Sequence, residues 1–598
     1  MITKMTKYSF VLLNEQTPDF LNKLQDLGMV DINRQEKAVD QHSKDLSDKL
    51  FQINQVVNKL SIVAKEKKDE RTEPYQDHGA SLLKEAEELF STRESLKTII
   101  HSLSEQLKAA EPWGPFTLQD VEKIQDMGFI IHAYIQPARR FNPEWEKQYP
   151  LFVVEKTEKQ ISFLVLEVPG ESYDFPGNEA VFPTIPCNVL QEELREKEAE
   201  LQVCTDRLEI LSANIGVLTS YANELSSKLD LYLAGASADK QVEGRIDLLT
   251  GFAPTDRATE LESFLEKESL YYLSAPAESS DDPPIKLKNS WFSSLFEPIG
   301  KMYMLPVYDE LDLTPYFAPF YMLFFGFCLG DMGYGLLLVL IGLLGRFFLP
   351  KMKGYLNLVF FLGLGSIIIA TLPGGFFGMK VSEIAPSLVK NQNFLFQFND
   401  MNMFWFAILF GLFQIVFARL LTAVNSIIRK GWQHGMAPIG WAILIVWATI
   451  AYASTMVEDL NMSKPVSTTM LVVSISLIVL FSKPEGPVHK RLGKGLWSMY
   501  DITGVFGDML SYIRLFGLGT SGGILGLVVN TLALSLAGVP YVGWLLALVL
   551  LLFGHALVLG LSALGAFVHP MRLTFVEFFK NADFTGGGRE YKPLKIKE

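Results

Sequence analysis

Residues 513–572 read IRLFGLGTSGGILGLVVNTLALSLAGVPYVGWLLALVLLLFGHALVLGLSALGAFVHPMR. Between Arg514 and Arg572 this stretch contains no other Asp, Glu, Lys or Arg, and its only histidines are His555 and His569. Because about 20 apolar residues span a bilayer as a helix, the stretch predicts two membrane helices, near 498–536 and 541–581. The first would extend about 58 Å at about 1.5 Å per residue, so we expect it to tilt, bend or protrude.

Charge is distributed unevenly along the chain. Of the 119 charged side chains, 83 lie in residues 1–300 and 36 in 301–598. This asymmetry excludes a single globular domain and a disordered chain, and a net charge of −13 without a basic stripe excludes a nucleic-acid-binding protein. We therefore predict a cytosolic domain over residues 1–290 and a membrane domain over 291–598. The N-terminus lacks the apolar run of a signal peptide, so we expect the first domain in the cytoplasm.

The sequence pattern of the soluble half predicts two α/β lobes. In the first, strands at Tyr8–Leu13 and Met29–Ile32 flank a helix at Phe20–Leu27 that Gly28 ends. Residues 245–275 resemble a return to this lobe. The second lobe covers residues 115–185, where GFIIHAYIQP and LFVVEKTEKQISFLVLEV are typical of strands.

Heptad repeats connect the two lobes. Apolar residues recur at steps of three and four over 46–64, 86–107 and 201–229, and the third repeat is unbroken over four heptads. Such a pattern requires a helical partner along its whole length. We predict a coiled-coil stalk.

The apolar segments of the membrane half predict about eight membrane-spanning helices. They lie near 316–330, 333–349, 356–377, 403–425, 436–455, 466–482, 498–536 and 541–581. With the N-terminus inside, nine Lys and Arg fall in inside loops and three in outside loops, as the positive-inside rule expects. Both termini are then cytoplasmic. The fold class is an α-helical membrane protein, its last two helices long and tilted, with an N-terminal cytosolic α+β/coiled-coil domain.

Arg514 requires a charged partner. An arginine near the bilayer centre costs about 2.5–3.5 kcal/mol on insertion scales and cannot deprotonate. An ion pair with Asp508 is the simplest alternative, but residues six positions apart lie on different helix faces. We expect the partner carboxylate to belong to another subunit. Arg572 lies nearer a helix end, where its side chain can also reach the membrane surface.

Small residues follow Arg514 on its helix. Gly517 and Ser521 share its helical face at spacings of three and seven. Such a face allows another helix to pass closely. The alternative is ordinary packing within the chain.

Several segments resemble a known family. GDMLSYIRLFGLG (507–519), FVHPMRLTFVEFFKNADFTGGGREYKPL (567–594) and the region 283–336 closely resemble the membrane stator subunit, called subunit a or subunit I, of rotary V-type and A-type ATPases, in particular their prokaryotic branch. The opening residues are similar to the N-terminal lobe of this family.

The resemblance implies a function in ion translocation. Arg514 and Arg572 match the two arginines of the family that face the carboxylates of a turning rotor ring. Asp508, His555, His569 and Glu577 are candidates for the half-channels through which protons or sodium ions reach the ring, and Gly517 and Ser521 face the ring. In the eukaryotic branch a glutamate occupies the position of Ser562 and a histidine that of Gly522, so we expect a differently lined outer half-channel here.

The resemblance also implies partners and location. We expect the proteolipid subunits of the rotor ring (type c or K), peripheral-stalk subunits (types E and G or H), the central-stalk subunit at the ring (type d or C), membrane lipid and, indirectly, the ATP-hydrolysing head. We expect no cofactor, metal or nucleic acid. The chain is then a non-catalytic, multi-pass subunit of the cytoplasmic membrane.

Rival functions remain at this stage. An ion-coupled secondary transporter with a cytosolic regulatory domain is the main alternative, although such carriers usually contain paired repeats and we see none between 316–455 and 466–581. An enzyme that hydrolyses nucleotide is disfavoured because the chain lacks a G-x-x-x-x-G-K-[ST] loop. The glycines of GDMGYG at 330–335 are better explained by a tight hairpin. A purely structural anchor would leave Arg514 without a role.

Overall fold

The computed structural model describes residues 1–34, 40–66, 75, 78–114, 116–168, 170, 174–177, 179–268, 270–384, 386, 398–455, 462–485 and 488–597. These residues form two compact units. One contains Met1–Leu12, Met29–Ile32 and Leu248–Pro593, and the other contains Leu13–Gly28, Asn33–Asp247 and Leu594–Glu598. The two units are defined by contacts within the chain, which do not show which residues lie in water and which in lipid. The predicted boundary between the cytosolic and membrane domains near residue 290 therefore stays a prediction.

Helices make up most of the described chain. They are α1 (Thr17–Leu27), α2 (Gln41–Glu66), α3 (Gly79–Ala110), α4 (Leu118–Asp126), α5 (Trp145–Gln148), α6 (Cys187–Ser212), α7 (Ile215–Ala236), α8 (Ala258–Lys267), α9 (Trp291–Ser294), α10 (Glu297–Tyr303), α11 (Thr314–Leu329), α12 (Met332–Phe348), α13 (Lys353–Ala370), α14 (Val381–Ile384), α15 (Asp400–Lys430), α16 (Trp432–Ala453), α17 (Lys464–Phe481), α18 (Val488–Ser498), α19 (Ile502–Ser511), α20 (Ile513–Ala537), α21 (Gly543–Arg572) and α22 (Phe579–Asn581).

The strands are short. They are β1 (Met5–Leu13), β2 (Asp31–Ile32), β3 (Ile130–Pro137), β4 (Leu151–Lys156), β5 (Gln160–Glu167), β6 (Glu179–Ala180), β7 (Asp239–Gln241), β8 (Ile246–Pro254), β9 (Tyr271–Pro276), β10 (Gly375–Phe376) and β11 (Met379–Lys380).

The first lobe is built around an antiparallel sheet of order β2-β8-β1-β9. Thr6 pairs with Pro276 and Val11 with Tyr271 along β1 and β9. Alternate residues of β1, including Tyr8 and Phe10, are buried. The return of residues 245–275 to the first lobe is therefore confirmed.

The second unit contains the helical stalk. Apolar heptad residues of α2, α3, α6 and α7 form one buried cluster, which includes Ile53, Leu60, Leu208 and Leu218. The prediction of an unbroken helix over 201–229 is wrong, because α6 ends at Ser212 and α7 begins at Ile215. The Asn214 amide donates to the Ile210 carbonyl at 3.2 Å and accepts from the Tyr75 backbone at 3.0 Å. Such local bonds compete with the helical ladder.

His132 links three strands of the second lobe, whose sheet has the order β4-β5-β3-β6. From β3, its ring nitrogens bond Glu167 of β5 at 2.9 Å and Glu179 of β6 at 2.8 Å. Burial lowers the pKa of His132, but the hydrogen bonds to the two carboxylates outweigh it and the pKa is raised. The protonated ring therefore stabilises the sheet.

We expect this stabilisation to depend on pH. It is complete below the ordinary histidine pKa of about 6.5 and is lost as the pH rises through the raised value. Hydrogen exchange of β3, β5 and β6, corrected for the intrinsic rate, should show protection that falls over this range in the wild type. In His132→Gln the protection should not change with pH, and equal profiles in the two proteins would contradict the assignment.

The second half confirms the predicted helical membrane protein. Among the described residues, six helical segments are long and apolar enough to cross a membrane: Lys353–Ala370, Asp400–Lys430, Trp432–Ala453, Lys464–Phe481, His489–Ala537 and Gly543–Asn581. Two shorter apolar helices, Thr314–Leu329 and Met332–Phe348, precede them.

The two shorter helices form the predicted tight hairpin. Gly330 ends α11 with a φ of 63°, a conformation that favours glycine. The Asp331 carboxylate then accepts from the Tyr334 backbone N–H at 3.0 Å and caps α12. The same carboxylate accepts from the backbone N–H groups of Phe377 and Gly378, at 2.9 and 2.8 Å. Asp331 thus ties the hairpin to the β10–β11 turn.

The predicted long span over 498–536 corresponds to the apolar segment His489–Ala537, which is not one continuous helix. The segment consists of α18, a 3-10 turn at Met499–Asp501, α19 and α20. At Tyr512 the backbone N–H bonds the Met509 carbonyl at 3.1 Å, three residues back, which tightens the chain between α19 and α20. The last predicted span, 541–581, is confirmed as the apolar segment Gly543–Asn581, in which α21 ends at Arg572 and a π-helical turn follows at Leu573–Phe578.

Candidate functional site

Tyr512 sets the rotation of the helix that carries Arg514. Its fully buried hydroxyl donates to the Gln414 Oε1 atom on α15 at 2.8 Å. Its ring lies against Gly411, where an added Cβ would come within 2.2 Å of the ring. Because residues two positions apart on a helix point roughly 200° apart, anchoring Tyr512 on α15 directs Arg514 to another side of α20.

Arg514 has no ion-pair partner within the described chain. Its side chain is half-buried, and its Nη1 atom is buried without a hydrogen-bond acceptor. No described carboxylate oxygen lies within 4.0 Å of the guanidinium. The charge that a membrane arginine requires is therefore not supplied by a direct contact here.

The glycines that follow Arg514 divide into two sets. An added Cβ at Gly519 would lie 2.4 Å from the Phe327 carbonyl, and one at Gly526 would lie 3.0 Å from the Gly378 Cα atom. These glycines pack inside the chain. By contrast, Gly517 and Ser521 are exposed, and no atom lies within 4 Å of a Cβ built on Gly517. The face shared by Arg514, Gly517 and Ser521 is open.

Asp508 is bound to the end of the chain's last membrane segment. The Lys580 ammonium lies 3.1 Å from its carboxylate, and the Asn581 amide donates to it at 2.8 Å. Asp508 is 8% exposed and Asn581 is fully buried. The alternative that Asp508 pairs with Arg514 is thereby removed, because Lys580 and Asn581 occupy the carboxylate.

Glu577 lies near the same cluster. It sits in the π-helical turn, is 2% exposed, and its Oε2 atom has no hydrogen-bond partner. The charges of Arg514, Asp508 and Arg572 all act on this carboxyl group. The structure therefore brings Asp508 and Glu577 into the electrostatic neighbourhood of Arg514.

Arg572 and His569 lie on α21. Arg572 is exposed and makes no ion pair within the described chain. His569 is half-buried, and the charges of both Arg514 and Arg572 act on its ring. The charges of Arg514 and Arg572 thus act on both His569 and Glu577.

His555 belongs to a separate network. Its Nε2 atom bonds the Asn530 Oδ1 atom at 3.0 Å, and the Asn530 amide nitrogen donates to the Phe377 carbonyl at 2.7 Å. The Asn530 atom that faces His555 is therefore the amide oxygen, which can only accept a hydrogen bond. The histidine must donate to it, so its ring proton lies on Nε2. Its Nδ1 atom, 2.8 Å from the Tyr334 hydroxyl, then accepts. Both ring nitrogens are satisfied in the neutral state.

A cavity of about 230 Å³ lies on the Gly519 side of Arg514. Its lining includes the charged residues Asp331, Lys380 and Asp400, together with Thr520 and Gly523 of α20. Nearby, Gly522 and Ser562 face each other, with an added Cβ on Gly522 lying 3.3 Å from the Ser562 hydroxyl. Charged groups thus approach α20 at a different height from Asp508 and Glu577.

Sequence reasoning missed several residues of the site. Gln414 and Arg419 lie inside the predicted span 403–425. Because polar residues are rare within membrane spans, their presence there could have identified them as candidates from the sequence. Arg419 lies 5.9 Å from the Trp441 ring, and the charge of Asp508 acts on it. Lys580 and Asn581 could not be found, because their role depends on the fold.

No metal site is formed by acidic, histidine or cysteine side chains within the described chain, since no group of three or more of these residues is close enough to hold an ion.

Comparison with known proteins relates the whole chain to one family. No protein-family profile matches it. It is 25% identical over 620 residues to the "V-type ATP synthase subunit I" of Borreliella burgdorferi, covering 100% of this chain and 99% of that protein. It is 24% identical over 637 residues to "V-type ATP synthase subunit I 1" of Treponema pallidum, covering both chains fully. An archaeal relative, the "A-type ATP synthase subunit I" of Methanocaldococcus jannaschii, is 26% identical over 80% of this chain and 72% of its own.

The chain is therefore similar over its whole length to proteins named subunit I of V-type and A-type ATP synthases. A solved structure of the cytoplasmic N-terminal domain of subunit I, homolog of subunit a, of V-ATPase also matches. It covers 46% of this chain and 100% of that structure at 16% identity, with a TM-score of 0.21. The resemblance expected from the SYIRLF and HPMRLTFVEFF segments is confirmed at the level of the family.

The Tyr512 anchor can be tested by removing one oxygen atom. Tyr512→Phe leaves the Gln414 amide, which is fully buried and whose Nε2 atom already lacks a partner, with no hydrogen bond at all. Such a loss costs about 1–3 kcal/mol. We expect the purified protein to unfold at a lower temperature than the wild type. Tyr500→Phe, which alters an exposed tyrosine, is the matched control and should have no effect.

Proposed function

We propose that this chain is the stator subunit of a rotary ATPase, and that Arg514 is the fixed cation that faces the carboxylates of a rotor ring. The observation that carries the proposal is the half-buried Arg514 guanidinium, which has no carboxylate partner among the described residues and shares an open face with Gly517 and Ser521. The names of its relatives, which are subunits of ATP synthases, support an assembly of this kind.

The proposed mechanism follows from the charge of Arg514. A passing carboxylate is attracted to the guanidinium, which lowers the pKa of that carboxylate and releases its bound ion. The same cation repels free protons or sodium ions and so prevents a direct leak. Ions then cross only when the ring turns. ATP is made or hydrolysed on other subunits, and this chain is not catalytic.

Two separate paths would bring ions to the ring. On one side of Arg514 lie Asp508 and Glu577, with His569 and Arg572 beside them on α21. On the other side lies the cavity lined by Asp331, Lys380 and Asp400, and we place the outer half-channel there. Gly522 faces Ser562, so the two positions at which the eukaryotic branch carries a histidine and a glutamate are neighbours in this chain. His555 lines this side through Tyr334 and Asn530.

The second lobe offers a surface for a peripheral stalk. β4 is an edge strand, and its Phe152, Val153 and Val154 side chains are exposed, as is Ile130 of β3. Exposed apolar residues on an unpaired edge mark a protein interaction site. We propose that peripheral-stalk subunits bind here, while the central-stalk subunit and the ring contact other parts of the chain. In this assembly the chain spans the cytoplasmic membrane with both termini inside.

Arg514→Gln tests the translocation mechanism. It removes the charge and keeps a polar side chain of moderate length, so the complex should assemble and hydrolyse ATP. Ion pumping in vesicles should fall by at least about 100-fold, because the ring carboxylates lose their counter-charge.

The matched control for this variant is Arg346→Gln. Arg346 is also a half-buried arginine of an apolar helix, and it lies 5.4 Å from the Phe360 ring. It should pump normally. Unimpaired pumping in Arg514→Gln would refute the proposal, and ion transport by the purified chain without ring subunits would favour a secondary transporter instead.

Phe152→Lys tests the partner surface. The substitution places a charge on the exposed edge strand and should reduce copurification of peripheral-stalk subunits several-fold, because an apolar contact is replaced by a desolvated cation. Phe51→Lys, at an equally exposed phenylalanine of α2, should retain those subunits. Equal recovery from both variants would show that the stalk binds elsewhere.

A further inference from the structure

The amphipathic helix α18 has a surface that the translocation mechanism does not use. It follows α17, an apolar span that ends at Phe481, and runs through one 3-10 turn into α19. At 11 residues it extends about 16 Å. It therefore lies close to the membrane surface at the Phe481 end of α17.

The packing of α18 holds it against this end of the span. An added Cβ on Gly495 would lie 2.1 Å from the Val479 carbonyl oxygen. No larger residue fits without movement, so the two backbones are in direct contact. Because Gly495 is one of the few buried positions of the helix, most other side chains of α18 point away from the protein.

Those side chains form a basic and an apolar sector. Lys490 and Lys494, four positions apart, are exposed on one side. Leu492 and Leu496, also four apart, are exposed on another, and Trp497 is 81% exposed beside the lysines. A basic face next to leucines and a tryptophan is typical of a helix that lies in the membrane interface.

The lysines have no counter-charge in the described chain. Neither Lys490 nor Lys494 has a described carboxylate oxygen within 4.0 Å. These exposed ammonium groups are therefore free to bind an anion from outside the chain. An anionic phospholipid fits both sectors, since its phosphate can meet the lysines while its acyl chains meet Leu492 and Leu496, and Trp497 lies beside the lysines where headgroups and acyl chains meet. An acidic protein segment would leave the apolar sector uncovered.

We propose that α18 lies in the headgroup layer and binds anionic phospholipids through Lys490 and Lys494, with Leu492 and Leu496 inserted among the acyl chains and Trp497 at the boundary between headgroups and acyl chains. The bound lipid fixes the depth of α18. Because α18 continues through Met499–Asp501 into α19 and α20, it also sets the depth of Arg514 in the bilayer. This binding does not depend on which way the chain is oriented or on the rotary function.

Lipid binding to the full-length chain tests the proposal. The purified protein in neutral detergent is titrated with phosphatidylglycerol or phosphatidylcholine, and bound lipid is counted by native mass spectrometry. The wild type should prefer phosphatidylglycerol. K490Q/K494Q should weaken its association by about five-fold per lysine, whereas K490R/K494R should restore it, since phosphate binding requires only the cation.

The matched control is K197Q/K228Q, which removes two lysine charges from the coiled-coil helices α6 and α7. It should bind phosphatidylglycerol as the wild type does. Equal binding by the wild type and K490Q/K494Q would overturn the proposal. Competition by inorganic phosphate at concentrations equal to the lipid would also overturn it, because it would indicate a soluble-anion site.

A second measurement leaves the lysines intact. Brominated phosphatidylglycerol in vesicles quenches tryptophans at the level of the acyl chains. The wild type should lose more fluorescence than Trp497→Phe, a substitution that keeps an apolar ring. Equal quenching of both proteins would show that Trp497 does not lie in the lipid. Recovery of an acidic protein bound to α18 in place of lipid would also overturn the proposal.

Discussion

The permanent charge of Arg514 is the constraint to which the rest of the membrane half is adapted. A guanidinium cannot lose its proton under any physiological condition, so an apolar helix can carry it only if a counter-charge is available. Within the described chain, Asp508 would be the nearest candidate in sequence, but Lys580 and Asn581 hold its carboxylate. The tertiary structure thus leaves Arg514 without an ion-pair partner among the described residues.

Orientation is controlled as closely as charge. Tyr512 binds Gln414 and packs on Gly411, and this contact determines which way α20 turns after α19. On the opposite side, Gly519 and Gly526 allow α20 to approach the Phe327 and Gly378 backbones. With these two sides occupied, only the face with Gly517 and Ser521 remains open. Close packing on one side and an open small-residue face on the other suit a helix that another helix must pass.

Polar groups are separated along the segment formed by α19 and α20 in a manner consistent with two half-channels. Asp508 precedes Arg514 by six residues, and Gly523, in the wall of the charged cavity, follows it by nine, or about 13 Å. The cluster of Asp508 and Glu577 and the cavity with Asp331, Lys380 and Asp400 therefore meet α20 on either side of the arginine. This arrangement links charge placement to the proposed function without requiring a continuous pore.

The sequence by itself determined the helical membrane half, the sheet of the first lobe and the isolation of Arg514, because hydropathy, strand alternation and charge are local properties of the chain. It did not determine the break at Asn214, the turn at Tyr512 or the binding of Asp508 by Lys580. Each of these depends on a group more than 70 residues away, such as the Tyr75 backbone N–H for Asn214 and the Gln414 side chain for Tyr512. Contacts of that kind arise only when helices pack, and so only the tertiary structure decided which polar groups surround the arginine.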